Sequence, residues 1–198
     1  LSLRHRRMYE INGRPRELLQ AAKIRRMEKA LYDQSDWVMA ISDHDLAAMR
    51  DISGKPIYGI LPNGVDTEAF RPAPEHEEPL TVVFTGAMDY PPNEDGAVYF
   101  TSEVWPKIRH EFPEAQFLIV GRDPTPAVRA LNGHPGVTVT GTVERVQDYS
   151  SKAAVIVAPL RFGTGIKNKV LEAAAMGKAT VATPVSIEGM AFNESQEL

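Results

Sequence analysis

Residues 81–183 alternate short apolar segments rich in Val and Ile with helical segments, and this alternation constrains the fold more than any other feature. We predict strands at residues 81–85, 116–120, 137–140, 154–158 and 179–183, and helices at residues 93–112, 126–131, 146–150 and 167–176. Strands that alternate with helices in this way form a parallel sheet with both faces covered. The sequence therefore predicts a Rossmann-like α/β fold with helices on both faces of a parallel sheet.

Glycine follows the predicted strands at the point where each strand ends. Gly86, Gly121 and Gly141 come directly after the first three strands, and Gly163-Thr164-Gly165 follows the fourth. Ligands of open parallel sheets bind outside the carboxyl ends of the strands, where glycine permits close approach and helix N-termini offer N–H groups to phosphate. Any single glycine is explained by a tight turn. Their repetition favours a nucleotide- or phosphate-binding site.

The segment at residues 161–177 gives the strongest indication of an anion site. Lys167 and Lys169 stand at the start of a predicted helix, and Glu172 shares a helix face with Lys169. One interpretation is a solvated helix start with a Lys–Glu pair. The helix dipole, however, disfavours cations at an N-terminus. An anion that neutralises both lysines explains their placement better.

A proline-rich segment separates residues 81–183 from a first region of different character. Residues 71–79 contain three prolines, three glutamates and no apolar side chain larger than alanine, which is typical of a linker. Before it we predict a helix at residues 15–34 and a second helix that begins after Ser42, with Asp45 completing a capping box. We expect residues 1–76 to end one domain and residues 77–198 to form another.

Composition and charge exclude several classes of protein. The 198 residues include no cysteine, which excludes disulfides, thiolate nucleophiles and cysteine-bound metals. No apolar run reaches the roughly 18 residues of a membrane-spanning helix, so we expect a cytoplasmic protein. Residues 1–30 carry nine Lys or Arg and three Glu, although the whole chain has a net charge of −4. This basic segment is interpreted either as a solvated helix face or as a contact with anionic lipid headgroups. No aromatic interleaving indicates nucleic-acid binding.

Two further groups of residues have structural interpretations. Asp43 and Asp45 form an Asp-x-Asp pattern that holds manganese in other proteins, but their position after Ser42 predicts a helix cap. The five histidines are scattered without the spacing of metal ligands, and we expect no metal site. Trp37 and Trp105 are expected in the core rather than stacked on a ligand.

Five segments, taken in order, resemble one enzyme family. They are PNGVD at 62–66, FTGAMDYPPNEDG at 84–96, FLIVGRDP at 117–124, VTGTV at 139–143 and RFGTGIKNKVLEAAAMGKATVATPVSIEGM at 161–190. Together they resemble the donor-binding half of GT-B glycosyltransferases of group 1, the retaining family 4. Within it, the subgroup that uses bacterial exopolysaccharide donors is most similar. The resemblance covers residues 36–190, and its last segment is the most specific.

The resemblance implies a fold and a donor site. Enzymes of this family have two Rossmann-like domains facing across a cleft, the C-terminal one for a nucleotide-activated sugar and the N-terminal one for the acceptor. It implies that Glu172 holds the ribose hydroxyls, that Lys169 lies near the diphosphate and that Val143 lies near the base. The donor-binding residues implied in this way are Gly86, Asn93, Gly121, Arg122, Val143, Arg161, Gly163, Thr164, Gly165, Lys167, Lys169 and Glu172.

Three positions depart from the family pattern. Thr164 stands where the family has the first glutamate of a pair. Ala87 and Asn93 stand where it has an Arg and a Lys that clamp the diphosphate. Cations within residues 161–169 are then left to neutralise the diphosphate charge.

The implied activity is transfer of a sugar from a UDP- or GDP-sugar to a saccharide or lipid-linked acceptor in bacterial polysaccharide biosynthesis. The enzyme would be a retaining hexosyltransferase that needs neither cofactor nor metal. Its catalytic residues are expected in an N-terminal domain mostly absent from this sequence, so none is assigned. We expect a fragment truncated at both ends that transfers nothing alone. The three departures leave a non-catalytic nucleotide- or phospho-ligand-binding Rossmann module as the alternative.

Overall fold

The computed structural model of the chain describes residues 2–54 and 59–190, which divide into two compact units. The first unit contains the described residues of Leu1–Asn63, Phe162–Ile166 and Ile187–Leu198. The second contains Gly64–Arg161 and Lys167–Ser186. The predicted domains, residues 1–76 and 77–198, stay a prediction.

The first unit is mainly helical. Helix α1 (Ser2–Asn12) packs against α2 (Pro15–Gln34), whose bounds agree with the prediction. Strands β1 (Met39–Ala40) and β2 (Gly59–Ile60) form a short parallel pair, and α3 (Asp43–Ile52) lies between them in sequence. The predicted capping box is confirmed, because Ser42 Oγ accepts a hydrogen bond from Asp45 N at 3.1 Å and donates one to Asp45 Oδ2 at 2.7 Å.

Two buried carboxylates of α2 hold α1, a helix that the sequence analysis did not predict. Ser2 Oγ donates to Glu28 Oε2 at 2.5 Å, and His5 Nδ1 lies 2.7 Å from Glu17 Oε2. The hydrogen bond with His5 lowers the pKa of the Glu17 carboxyl group. Polar contacts with a later segment, rather than a continuous apolar stripe, therefore hold this helix.

Arg7 links α1 to two later segments of the same unit. Its Nη1 donates to Gly163 O at 2.7 Å, and its two Nη atoms each donate to a carboxylate oxygen of Glu188 at 2.6 Å. His44 Nε2 lies 3.1 Å from the same carboxylate. These contacts explain why residues 162–166 group with the first unit.

The placement of Trp37 in the core is wrong, because its side chain is 71% exposed. The apolar segment at residues 37–41 would suit a buried strand, but in the structure only Met39–Ala40 form one. Trp37 therefore lies outside the element that would have buried it. Trp105 is 2% exposed, which confirms its predicted place in the core.

Within the described residues, the second unit contains a parallel sheet of five strands. The strands are β3 (Thr81–Thr85), β4 (Gln116–Val120), β5 (Val137–Gly141), β6 (Val155–Ala158) and β7 (Ala179–Ala182). Their order is β5-β4-β3-β6-β7, so the first strand of the unit lies in the middle. Val82 pairs with Phe117 on one side and with Val155 on the other. This arrangement confirms the predicted parallel α/β fold, and each strand lies within one residue of its predicted bounds.

Helices cover both faces of this sheet. They are α4 (Pro91–Tyr99), α5 (Trp105–Glu111), α6 (Pro126–Ala130), α7 (Gln147–Ser150), α8 (Asn168–Ala175) and α9 (Pro184–Ile187). Alternate residues of β3 enter two separate cores, with Phe84 in a cluster around Trp105 and Phe117, and Val83 in a cluster with Ala173. Successive side chains of a strand point to opposite faces, so two buried cores confirm a sheet covered on both sides.

The helix predicted at residues 93–112 is interrupted in the structure. A wider π turn, Phe100–Val104, joins α4 to α5. Pro106 lies in the first turn of α5 and has no N–H to donate to the preceding turn. The wider turn accommodates this missing donor within one helical path.

Two of the three glutamates of the predicted linker form ion pairs within the second unit. Lys178, whose side chain is 4% exposed, donates to Glu77 Oε2 at 2.9 Å, and Lys152 Nζ lies 3.1 Å from Glu78 Oε1. A short 3₁₀ helix, Pro74–His76, precedes these two glutamates. In residues 2–54 and 59–190, no helix is long and apolar enough to cross a membrane.

The ends of β3 and β4 approach each other closely at two glycines. Gly86 N donates to Val120 O at 3.0 Å, and Met88 N donates to Arg122 O at 2.8 Å. A Cβ atom at Gly121, whose φ is +155°, would lie 1.7 Å from Gly86 O. Since the neighbouring atom is backbone, no side-chain rotation can relieve this contact. The first two strands of the sheet can meet in this way only with glycine at position 121.

We expect Gly121→Ala to lower the free energy of unfolding by about 2–4 kcal/mol, because the new methyl group forces the two strand ends apart. Urea denaturation measures the change. Gly133→Ala is the matched control, since a Cβ atom there meets nothing within 4 Å. Equal stabilities for the two variants would contradict the close approach of β3 and β4.

Candidate functional site

The candidate site lies at the carboxyl ends of β3 and β6, which are neighbours in the middle of the sheet. The chain continues from β3 to β4 on one side and from β6 to β7 on the other. The connections that follow the two strands therefore leave in opposite directions, and in open α/β sheets this topology produces a crevice between them. Ligands of open α/β sheets bind in such a crevice.

Three of the predicted donor-binding residues meet at this point, and we call Gly86, Asn93 and Lys169 the ammonium cluster. Lys169 Nζ donates to Asn93 Oδ1 at 2.7 Å, and Asn93 Nδ2 donates to Ala87 O at 2.9 Å. A Cβ atom at Gly86, whose φ is +157°, would lie 2.6 Å from Asn93 Nδ2 and 3.0 Å from Lys169 Nζ. Only glycine leaves room for the other two side chains.

Local structure places each member of the ammonium cluster. Gly86 directly follows β3, and Asn93 lies in the first turn of α4 behind Pro91 and Pro92, whose rings fix the backbone. Lys169 lies in the first turn of α8. The strand end and two helix starts therefore converge, and Lys169 reaches the other two members from 76 positions beyond Asn93.

The ammonium group of Lys169 is largely removed from water. Its Nζ lies 4.2 Å from the centre of the Phe84 ring, which is itself fully buried. Desolvation is the main cause that lowers the pKa of Lys169 to about 7; the charge of Glu172 opposes this decrease, and the charge of Lys167 contributes to it. An anion that entered the crevice would raise this pKa again and draw a proton onto the amine.

Glu172 lies one turn after Lys169 on the same helix and is partly buried. Burial raises the pKa of its carboxyl group, and the charge of Lys169 opposes that change. Among the described residues, no hydrogen-bond donor contacts the Glu172 carboxylate. The carboxylate is therefore available to hydroxyl groups of a ligand.

The two predicted arginines are held by neighbouring carboxylates. Arg161 makes a two-pronged ion pair with Asp95, with Nε donating at 2.8 Å, and its guanidinium lies 5.0 Å from the centre of the Tyr99 ring. Arg122 is exposed, and its Nη1 donates to Asp123 Oδ2 at 2.7 Å. Sequence reasoning missed Asp95, because it lies 66 residues from Arg161 and no local spacing connects them.

The remaining predicted residues have different surroundings. Lys167 is 8% exposed and occupies the N-cap position of α8. Val143 packs against the core cluster that contains Val83. Gly163, Thr164 and Gly165 belong to the first unit, where Gly163 O accepts from Arg7 and Gly165 has a φ of +74°. Donor binding by each of these residues stays a prediction.

The chemistry of the ammonium cluster is that of an anion site. It combines a cation with a neutral hydrogen-bond acceptor, beside a glycine backbone that allows close approach. Within residues 2–54 and 59–190, no three His, Asp or Glu side chains gather in a way that could hold a metal ion. The groups at this edge of the sheet can therefore neutralise phosphate through Lys169 and accept hydroxyl groups through Glu172.

Comparison with protein families adds a second line of observation. The family described as Glycosyl transferases group 1 matches residues 79–195, which include the sheet of the second unit. No curated protein matches the sequence. The match covers more than half of the chain and contains every member of the ammonium cluster.

Solved structures with a similar fold have low sequence identity to this chain. Sucrose-phosphate synthase from Thermosynechococcus elongatus superimposes with a TM-score of 0.66 at 22% identity, over 93% of this chain and 49% of that one. HepE from Anabaena, in complex with UDP and glucose, superimposes with a TM-score of 0.64 at 14% identity, over 81% of this chain and 48% of that one. WaaG, a glycosyltransferase involved in lipopolysaccharide biosynthesis, superimposes with a TM-score of 0.62 at 16% identity, over 93% of this chain and 52% of that one. The chain thus spans about half the length of these proteins, and the likeness shows a shared fold.

We expect Lys169→Met to stabilise the free protein by about 1–2 kcal/mol at pH 6, which is about 2–8 °C in the unfolding midpoint. The folded-state pKa of about 7 lies below the usual value, so the unfolded chain binds more protons between about pH 7 and 10.5. The destabilising effect of Lys169 is therefore complete below pH 7 and decreases as the pH rises toward 10.5.

Urea denaturation at pH 6 and pH 9.5 measures this difference. Lys107→Met, at an exposed position on α5, is the control and is expected to change little at either pH. A Lys169→Met variant that is less stable than the natural chain at pH 6 would show that the ammonium group is not held at an energetic cost.

Proposed function

The chain belongs to the glycosyl transferases group 1 family, and on that premise we propose that its second unit binds the diphosphate of a nucleotide-sugar donor. The observation that carries this proposal is the ammonium of Lys169, held by a neutral amide at the carboxyl ends of β3 and β6. A diphosphate needs a cation at this edge of the sheet. Among the described residues, Lys169 is bonded to an amide rather than to a carboxylate, so no direct ion pair neutralises its protonated form.

The ammonium cluster would assist sugar transfer by stabilising the negative charge of the leaving diphosphate. As the bond between sugar and diphosphate breaks, negative charge grows on the phosphate oxygens. A cation aimed at those oxygens from a desolvated position stabilises that charge more strongly than water does. Lys169 would carry this role, and Glu172 would accept hydrogen bonds from the ribose hydroxyls.

The donor is proposed to be a UDP- or GDP-sugar. HepE, whose fold is similar, is described in complex with UDP and glucose, and this supports a uridine nucleotide as the first to test. The proposed reaction retains the configuration of the sugar and uses neither cofactor nor metal, because Lys169 would neutralise the charge that a metal ion would otherwise meet.

The acceptor side belongs to the same proposal. We propose a saccharide or lipid-linked acceptor in bacterial polysaccharide biosynthesis, at the cytoplasmic face of a membrane. The basic segment at residues 1–30 supports peripheral contact with anionic lipid, with nine Lys or Arg against three Glu. The chain alone is proposed to bind its donor and to transfer nothing, since it spans about half the length of the similar structures.

A non-catalytic nucleotide- or phospho-ligand-binding module is the second candidate. The pairing of Arg161 with Asp95 and of Arg122 with Asp123 favours it, because both arginines are partly neutralised before any ligand arrives. The two candidates share the anion site and differ in whether a nucleotide-sugar is consumed. Assays of donor hydrolysis and transfer on the longest available protein separate them.

We expect UDP or GDP to raise the unfolding midpoint of the chain at pH 6.5. Saturation at about 100 times the dissociation constant adds about 2.7 kcal/mol, which is about 5–10 °C for a chain of this size. The increase should shrink by at least half in Lys169→Met and in Glu172→Gln, since each variant removes one proposed contact with the nucleotide. Thermal denaturation with and without ligand gives the measurement.

Lys107→Met is the charge-matched control and should keep the full increase. NAD serves as the competing ligand. An increase with NAD but not with UDP or GDP would replace the donor site by a dinucleotide site, and no increase with any nucleotide would remove the proposal.

A further inference from the structure

We propose that Asn93 is a positioning residue, which holds the ammonium group of Lys169 in place for the donor diphosphate and does not itself contact the donor. The inference rests on the proposed function and assigns Asn93 a different role from the one that the resemblance implies. Binding of the diphosphate by Lys169 would then depend on a residue 76 positions earlier in the chain.

Both ends of the Asn93 amide are already bonded within the protein. Its oxygen accepts from Lys169 Nζ at 2.7 Å, and its nitrogen donates to Ala87 O at 2.9 Å. An ammonium group only donates and a backbone carbonyl only accepts, so the orientation of the amide follows from its two partners. Asn93 is also 6% exposed, which leaves little of it for a ligand to reach.

The backbone around Asn93 is rigid enough to position another group. Pro91 and Pro92 precede it, and Pro92 is among the fully buried side chains. Asn93 N donates to Tyr90 O at 2.8 Å, which ties the residue to the loop that follows β3. The Asn93 amide therefore holds the ammonium group of Lys169 at a fixed position relative to this loop.

A neutral hydrogen-bond partner suits the positioning of the Lys169 ammonium group better than a charged one. Asp95 and Asp123 neutralise the arginines that they hold, and an anion gains little from approaching such pairs. A second cation at position 93 would repel Lys169 at about 3 Å. An amide holds the ammonium group through a hydrogen bond and leaves its full charge for a ligand.

The same contact affects the proton of Lys169. The Asn93 oxygen favours the charged form, as do Glu172 and the face of the Phe84 ring, whereas burial and the charge of Lys167 disfavour it. Loss of the amide oxygen should therefore lower the pKa of Lys169 further. Nucleotide affinity that depends on the charged lysine should then decline at a lower pH.

A double-mutant cycle tests whether Asn93 acts through Lys169. The chain, Asn93→Ala, Lys169→Met and the double variant are titrated with UDP and GDP by calorimetry at pH 6.5. We expect Asn93→Ala to weaken binding about tenfold in the natural chain, and by less than about twofold when Lys169 is already Met. Equal losses in both backgrounds would mean that Asn93 contacts the donor directly, and would overturn the proposal.

The pH dependence of affinity is the second measurement, and it distinguishes positioning from a merely structural role. We expect the pH at which affinity falls to be lower by at least about half a unit in Asn93→Ala, and higher in the nearly isosteric Asn93→Asp. Asn132→Ala is the matched control, because Asn132 Oδ1 accepts from Val139 N at 2.9 Å in a purely structural bond. Unchanged midpoints in both Asn93 variants would also overturn the proposal.

The outcomes separate this inference from the function on which it rests. If the natural chain binds no nucleoside diphosphate, the proposed function fails first. If the natural chain binds and Lys169→Met weakens binding, but the Asn93 variants show additive losses and unchanged pH midpoints, the donor site stands and only the positioning role is wrong.

Discussion

The close approach of the first two strands of the parallel sheet is the constraint on which the candidate site depends. Gly121 comes so near to Gly86 O that a methyl group would lie 1.7 Å from it, and Gly86 in turn leaves space for Asn93 and Lys169. Gly121 and Gly86 therefore both provide space that the candidate site requires. One lets β3 and β4 end side by side, and the other lets two polar side chains occupy the space above that end. A larger residue at position 121 would force the strand ends apart, and one at position 86 would collide with the side chains of Asn93 and Lys169.

Charge is distributed unevenly around this edge of the sheet, and the difference has a physical meaning. Arg161 and Arg122 each have an aspartate within hydrogen-bonding distance, so their positive charges are partly neutralised. Lys169 is bonded instead to an amide, and desolvation by burial disfavours its charged form. Groups held against their solvation preference are typical of binding sites, because a ligand of opposite charge recovers the energy that folding lost.

The sequence predicted the sheet better than it predicted the first unit. The strands at residues 81–85 and 116–120 agree with the structure in full, since continuous Val, Ile and Phe segments buried on both faces depend little on distant residues. The cap at Ser42 is equally local and was also confirmed. Trp37 was placed wrongly, because its burial depended on how far the following strand extended. Helix α1 was missed, because buried contacts with Glu17 and Glu28 hold it rather than its own apolar pattern.

The same distinction between local and distant information applies to the candidate site. Glycine after a strand and lysine at a helix start are local signals, and they made Gly86 and Lys169 candidates from the sequence. The partners of those residues are not local: Asn93 lies 76 positions from Lys169, and Asp95 lies 66 positions from Arg161. From the sequence alone, Ala87 and Asn93 were losses of positive charge from the first loop. In the structure that loop supplies hydrogen-bond acceptors instead, with Ala87 O holding Asn93 and Asn93 holding Lys169. The cation at this edge of the sheet therefore lies on α8, and the first loop holds it through Asn93.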